Sequence, residues 1–128
     1  MIYVQTLLKV IDNSGGYMAL CLRILSNSSL GRVGNLVIVS IKSIILNKKL
    51  THKKKRKVLK GSVRKAVVVR TAKPFKRWGN IYLTGYSNSI AILGNWDLPI
   101  ANRIKGPVFF ELRSTKYIKT ALLSEGVI

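Results

Sequence analysis

The sequence predicts an all-β domain, either a barrel or a sandwich of short strands. Its apolar residues recur mostly at every second position, which is the period of a strand. Turn-forming clusters interrupt these runs about every 8–12 residues, a spacing typical of small barrels and sandwiches. A length of 128 residues with 48% hydrophobic residues suits one domain around one core.

Four strands are expected in the first part of the chain. Residues 2–11 form the first, and the turn signal Asp12–Gly16 ends it. Alternation then predicts strands along residues 18–24, 37–45 and 63–69, with a polar loop over 26–34. Because one face of each strand turns inward, the following side chains are expected in the barrel interior: Leu20, Leu22, Val37, Val39, Ile41, Val67 and Val69.

The remaining elements divide the single domain 1–128 into two parts. A turn at Pro74–Asn80 precedes strands at Ile81–Tyr86 and Ser89–Leu93, which complete a β part of about residues 1–95. From about residue 96 to 128, a loop punctuated by proline and glycine leads to one or two short helices, Val108–Arg113 and Ser114–Leu122. Ser114 is a plausible N-cap for the second.

The charge of the chain is strongly one-sided. It has 23 Lys and Arg against four acids, a formal net charge of +19, and 15 of the basic residues lie between Lys42 and Arg77. Such an excess repels itself unless a polyanion neutralises it. Nucleic acid is the first candidate partner. An anionic membrane surface is the second, but it calls for an amphipathic basic helix, whereas this basic stretch joins strands.

The basic stretch supplies the candidate phosphate-binding residues. Flexible lysines suit phosphates better than base edges, and released counterions drive their association with RNA. Nearby Phe75 and Trp78 can either stack on unpaired bases or pack against a barrel end, and the sequence leaves both open. The residues expected to bind phosphate are Lys48, Lys49, Lys53, Lys54, Lys55, Arg56, Lys57, Lys60, Arg64, Arg70, Lys73, Lys76 and Arg77.

Strand alternation predicts different orientations for two cations of the fourth strand, Arg70 and Lys65. Arg70 is expected to point outward, to a phosphate or a loop. Lys65 shares the parity of the buried valines, so it should lie at a strand end where its ammonium escapes the core.

Catalytic and metal chemistry is not supported. The single cysteine, Cys21, permits no internal disulfide and should be an inert thiol in an apolar strand. The single histidine, His52, sits in the lysine run, where neighbouring positive charge disfavours its protonated form. Asp12 is expected to shape a turn through an Asx hydrogen bond. We therefore expect no enzyme activity, no cofactor and no metal site.

Three segments resemble ribosomal protein fourteen of the large subunit. They are Ile11-Asp12-Asn13-Ser14-Gly15-Gly16, the strand from Lys65 to Thr71, and Arg103-Ile104-Lys105-Gly106-Pro107-Val108 followed by Glu111-Leu112-Arg113. The resemblance implies a five-stranded barrel with a C-terminal loop-helix extension, bound to large-subunit rRNA and touching neighbouring ribosomal proteins. It also implies an intersubunit bridge to small-subunit rRNA and a dock for a ribosome-silencing factor at Asn102, Arg103 and Lys116.

Several positions depart from that family pattern. Asn102 replaces a threonine, Lys105 replaces an aromatic residue, and Gly94-Asn95-Trp96-Asp97 replaces a polar turn. This divergence, the abundance of Ile, Lys, Asn and Tyr, and an N-terminus without a transit peptide suggest a protein encoded and translated inside a mitochondrion. A bacterial or plastid origin is the alternative, and a free-standing basic OB-like nucleic-acid-binding protein is the competing function.

Overall fold

The computed structural model describes residues 1–45 and 58–128. Within these ranges, most of the regular structure is β. Short 3-10 turns at Trp78–Asn80, Asn95–Asp97 and Phe110–Leu112 accompany the strands. The strands and the α-helix are β1 (Leu7–Val10), β2 (Gly16–Leu25), β3 (Leu36–Ile44), β4 (Val63–Arg70), β5 (Phe75–Lys76), β6 (Tyr82–Leu83), β7 (Ser89–Leu93) and α1 (Ile118–Leu122).

Five strands close into a barrel in the order β1-β2-β3-β4-β7, so the expected five-stranded barrel is confirmed. Neighbouring strands pair antiparallel. The exception is the closing pair of β1 and β7, which is parallel and joins only Lys9 to Ser89 and Val10 to Ile90. Strands β5 and β6 form a separate two-stranded hairpin.

The barrel interior corrects the prediction for β2. Leu22 is 40% exposed, whereas Ala19, Cys21 and Ile24 point into the core. Register shifts between Cys21 and Arg23, and near Met18, interrupt the simple alternation. Because Ala19 and Cys21 face inward, Leu20 and Leu22 fall on the opposite face, and neither belongs to the barrel cluster. The bulge after Cys21 then returns Ile24 to the interior.

Strand β4 is buried on both faces, which the alternation argument missed. Ala66 and Val68 face the barrel interior. Val67 and Val69 are also fully buried, but they belong to a second apolar cluster. That cluster consists of Ile11, Val67, Val69, Ala91, Leu93, Ile104, Val108, Leu112, Tyr117 and Ala121. The segment after β7 therefore covers the outer face of β4 and β7.

Three other elements are shorter than predicted. The first strand begins only at Leu7, because Gln5 adopts a φ of 68° and Ile2 instead bridges to Gly31. The strand expected over residues 81–86 is reduced to β6. Two short helical segments are present, but Ser114 caps neither, since its hydroxyl donates to the carbonyl of Glu111.

Asp12 ties the turn after β1 to the closing strand. Its Oδ1 accepts a hydrogen bond from the backbone N–H of Ser14 at 2.9 Å, so the predicted Asx turn is confirmed. Its Oδ2 accepts from the N–H of Ile92 in β7 at 2.7 Å. One buried carboxylate therefore links the β1–β2 turn to β7, beside the short β1–β7 pairing.

Candidate nucleic-acid interface

The acids of the chain are committed to internal contacts. Asp12 is only 2% exposed and is used within the barrel. Asp97 accepts a hydrogen bond from Lys116 at 3.0 Å and lies 3.8 Å from the Nζ of Lys65. The hydrogen bond from Lys116 is the main reason that the pKa of Asp97 falls below its usual value.

The other two carboxylates hold the C-terminal extension. Glu111 makes a two-pronged contact with Arg77, in which Nη2 donates to Oε2 at 2.6 Å. Burial alone would raise the pKa of Glu111, but the hydrogen bond from Arg77 brings it below its usual value. Glu125 accepts from Arg103 at 2.8 Å and from the N–H of Gly106 at 3.0 Å. Among residues 1–45 and 58–128, the ion pairs made by these acids involve only Lys65, Arg77, Arg103 and Lys116.

Four of the predicted phosphate ligands are exposed on the described surface. Lys60 lies in the turn before β4 and Arg64 is the second residue of that strand. Lys73 precedes the β5–β6 hairpin and Lys76 lies within it. None of the four forms an ion pair with an acid of the described ranges. The other predicted loop ligands, Lys48, Lys49, Lys53, Lys54, Lys55, Arg56 and Lys57, lie outside the described residues, as does His52.

Arg70 occupies a different setting from these exposed cations. A register shift lies between Val68 and Arg70, so strand alternation no longer gives the direction of its side chain. The guanidinium lies against the extension, where a Cβ on Gly106 would be 3.1 Å from Nη1. Burial lowers the pKa of Arg70. Its Nε is buried and has no hydrogen-bond partner in the described part of the chain.

Arg77 serves the fold as well as the surface. Besides pairing with Glu111, it donates to the main-chain oxygen of Ile128 at 2.8 Å. The arginine therefore ties the β5–β6 hairpin to the extension. Sequence reasoning grouped Arg77 with the phosphate ligands and missed this pairing, because the two residues are 34 positions apart and no local motif relates them.

Phe75 and Trp78, whose roles the sequence left open, differ in burial. Phe75 is half-buried and packs against Phe109, with ring centroids 5.5 Å apart. Trp78, three residues later at the tip of the hairpin, is fully exposed. The packing interpretation therefore holds for Phe75, and only Trp78 remains available to an external partner.

A second exposed tryptophan, Trp96, follows β7. Trp96 and Asp97 both have positive φ values, 61° and 56°, in a tight turn after Gly94. The contacts of Asp97 with Lys65 and Lys116 hold this turn in place. As predicted, the side chain of Lys65 is exposed and leaves the core, although its position is the third of β4.

The three residues of the expected protein dock are all exposed. The N–H of Asn102 donates to the side chain of Asn13 at 3.1 Å. Arg103 is held by Glu125, and Lys116 by Asp97. Arg103 and Lys116 thus belong to two different ion pairs. A joint role of the three residues in binding a partner stays a prediction.

Other chemistry finds little support in the described ranges. Cys21 is buried in the barrel, and burial raises the pKa of its thiol, consistent with an inert group. Residues 1–45 and 58–128 contain no group of three or more metal-ligating side chains. No helix in this part of the chain is long and apolar enough to cross a bilayer.

Comparisons with known proteins give consistent matches along nearly the whole chain. A model of the family described as ribosomal protein L14p/L23e matches residues 1–128. The large ribosomal subunit protein uL14m of Acanthamoeba castellanii is 47% identical over 115 residues, covering 88% of each chain. The uL14m protein of Acanthamoeba polyphaga is 46% identical over 116 residues, covering 89% of this chain and 98% of that protein.

Proposed function

Because the chain belongs to the ribosomal protein L14p/L23e family, we propose that it is a structural constituent of the large subunit of a mitochondrial ribosome, where its basic surface binds rRNA. Members of this family are structural proteins of a ribonucleoprotein particle, so the chain is not an enzyme. The mitochondrial assignment is supported by the uL14m relatives. We extend it to the matrix and to an organelle-encoded origin.

One observation carries the rRNA contact: all four acids are used inside the fold while the net charge is +19. A surface meant only for solvation mixes both signs of charge. Here neutralisation must come from outside, and phosphates supply it with a gain from released counterions. The exposed Lys60, Arg64, Lys73 and Lys76 are the described part of this phosphate-binding surface, and the cations of residues 48–57 are further phosphate ligands by their charge alone.

Sedimentation tests the assignment directly. A mitochondrial extract is separated on sucrose gradients at rising salt, and the chain is detected in each fraction. We expect it to co-migrate with the large subunit at moderate salt and to dissociate only at high salt. A chain that stays at the top of the gradient at low salt would refute the proposal and favour the free-standing OB-like protein.

Charge-neutralising variants test which surface binds. The exchange Lys53→Gln, Lys54→Gln, Lys55→Gln should weaken assembly and leave the barrel folded, because these side chains are expected to meet only phosphates. Each lost contact should reduce the slope of log affinity against log salt by roughly 0.7–0.9. The exposed pair Lys9→Gln, Lys119→Gln, outside the proposed surface, is the charge control. Unchanged assembly of the triple variant across the salt series would remove the loop from the interface.

A second contact is proposed at Asn102, Arg103 and Lys116, the surface that would meet a neighbouring ribosomal protein, small-subunit rRNA across the bridge, or a silencing factor. Their exposure supports this role. The variant Arg103→Gln should reduce joining of purified subunits, while Arg113→Gln, another exposed arginine of the extension, should not. Equal joining by both variants would remove Arg103 from the bridge.

A further inference from the structure

A cleft on the described surface brings cations and an exposed aromatic residue together. It has a volume of about 570 Å³, within the range of roughly 300–1,000 Å³ typical of small-ligand clefts. The β5–β6 hairpin provides one part of its lining, including Phe75, Lys76 and Trp78. Arg32 and Val33 from the loop before β3, and Glu111 from the extension, also line it.

The free charge in this cleft is positive. Arg32, Lys73 and Lys76 all line it and are exposed, and no acid of the described chain pairs with them. Its single carboxylate, Glu111, is already neutralised by Arg77. The cleft therefore favours an anion, and three cations around one cavity suit a phosphodiester backbone.

The aromatic lining favours a base as well as a phosphate. Phe75 forms a fixed wall because it packs on Phe109 and lies under the guanidinium of Arg77. Trp78 stands in the same lining but buries nothing of its side chain. A bare indole beside uncommitted cations is the combination on which unpaired bases stack in RNA-binding proteins.

The hairpin tip presents Trp78 in a defined position. The N–H of Arg77 donates to the carbonyl of Ile81 at 2.8 Å, which closes the turn. Within it, Gly79 and Asn80 take φ values of 78° and 60°. Glycine and asparagine are the residues that adopt this backbone conformation most readily, so the sequence is suited to hold this turn. The turn therefore holds the backbone of Trp78 beside the cleft, where its exposed indole can reach a ligand.

We propose that this cleft receives one unpaired nucleotide of RNA, with its base stacked on Trp78 and its flanking phosphates against Arg32, Lys73 and Lys76. The proposal rests on the proposed rRNA-binding function and deepens it. It adds a contact to a single nucleotide where the general surface only neutralises charge. An acidic peptide could satisfy the cations, but it would leave the indole without a stacking partner.

Tryptophan fluorescence of the full chain tests the proposal. The chain has two tryptophans, so Trp96→Phe leaves Trp78 as the single emitter. This protein is titrated with hexauridylate, with an abasic hexamer carrying the same phosphates, and with hexaglutamate. We expect quenching by hexauridylate alone. Equal quenching by the abasic hexamer or by hexaglutamate, or no quenching by hexauridylate, would overturn the stacking contact.

Affinities measured with fluorescein-labelled RNA separate the two kinds of contact. Adding Trp78→Leu should weaken hexauridylate binding roughly 5- to 150-fold, the usual range for one stacked base, and leave binding of the abasic hexamer unchanged. Adding Lys73→Gln and Lys76→Gln should weaken both and lower the salt slope by roughly 1.4, at about 0.7 per contact. The Lys9→Gln, Lys119→Gln pair is again the charge control.

The outcomes distinguish this inference from the broader function. If the chain co-sediments with the large subunit but Trp78→Leu binds hexauridylate as tightly as its parent, the nucleotide site is wrong and the ribosomal role stands. If the chain does not co-sediment at all, the ribosomal role fails whatever Trp78 does. Circular dichroism of each variant checks that an exposed substitution has not unfolded the barrel.

Discussion

Replacing Asp12 by alanine should destabilise the barrel more than removal of a single hydrogen bond would. The carboxylate is buried, and it accepts from the N–H groups of Ser14 and Ile92 and from the Ser14 hydroxyl. Alanine leaves both N–H groups without this acceptor. A buried donor left unpaired costs about 1–3 kcal/mol, so the two together give an expected loss of about 2–6 kcal/mol. That is a large share of the roughly 5–15 kcal/mol that holds a domain of this kind together.

Urea unfolding monitored by circular dichroism measures this loss for the full chain. Ser14→Ala is the matched control, because it removes only the hydroxyl contact and keeps the carboxylate that accepts from both N–H groups. It should cost about 1–2 kcal/mol. Asp12→Asn should fall between the two, since an amide retains one acceptor oxygen. Equal losses for Asp12→Ala and Ser14→Ala, or a loss under about 1 kcal/mol for Asp12→Ala, would show that the carboxylate does not brace the barrel.

Two further predictions concern the core and the extension. Ile92→Ala, at a fully buried position of the barrel, should lower the free energy of unfolding in urea by about 2–5 kcal/mol. Leu22→Ala, on the outer face, should lower it by under about 1 kcal/mol. Similar losses for the two variants would contradict the register of β2. The Arg77–Glu111 pair should weaken in acid, because the pKa of Glu111 is lower in the folded chain than its ordinary value of 4.5. The stabilisation that the ionised Glu111 gives is therefore complete above pH 4.5, and it is lost as the pH falls through the folded pKa. The stability gap between the native chain and Glu111→Gln should therefore narrow below about pH 4.5, and a gap that is constant from pH 7 to pH 3 would contradict this.

The barrel could be predicted from the sequence because the features that indicate it involve residues close together in the chain. Alternation in β3 and the turn residues after β1 each specify a feature within a few positions, and both are present. The face of β2 could not be read in this way. Its bulges depend on how it pairs with β3, and alternation assumes an unbroken ladder. In the same way, nothing in β4 indicated that its valines divide between two clusters, since continuous apolar runs are equally consistent with one buried face or two.

The positive charge of the candidate interface could be predicted from the sequence, but the positions of its side chains could not. Counting acids and bases is enough to predict a polyanionic partner without any structure. The pairing of Arg77 with Glu111, and the exposure of Trp78 near the half-buried Phe75, require knowledge of where the extension packs. Residue type alone gives no such information, because an aromatic residue next to a lysine can face either way.

The four acids of the chain all make contacts within the fold. Asp12 braces the barrel, whereas Asp97, Glu111 and Glu125 each hold an arginine or a lysine at or near the extension. Asp12 and Glu111 join segments that are distant in sequence, whereas Asp97 and Glu125 neutralise Lys116 and Arg103, which are exposed cations of the extension itself. Exposed pairs of this kind contribute little on their own, so apolar contacts such as those of Val67 and Val69 must carry most of the stability of the extension. The exposed Lys60, Arg64, Lys73 and Lys76 pair with no acid of the described residues. A bound polyanion would relieve the repulsion between them without disturbing the contacts that the acids make.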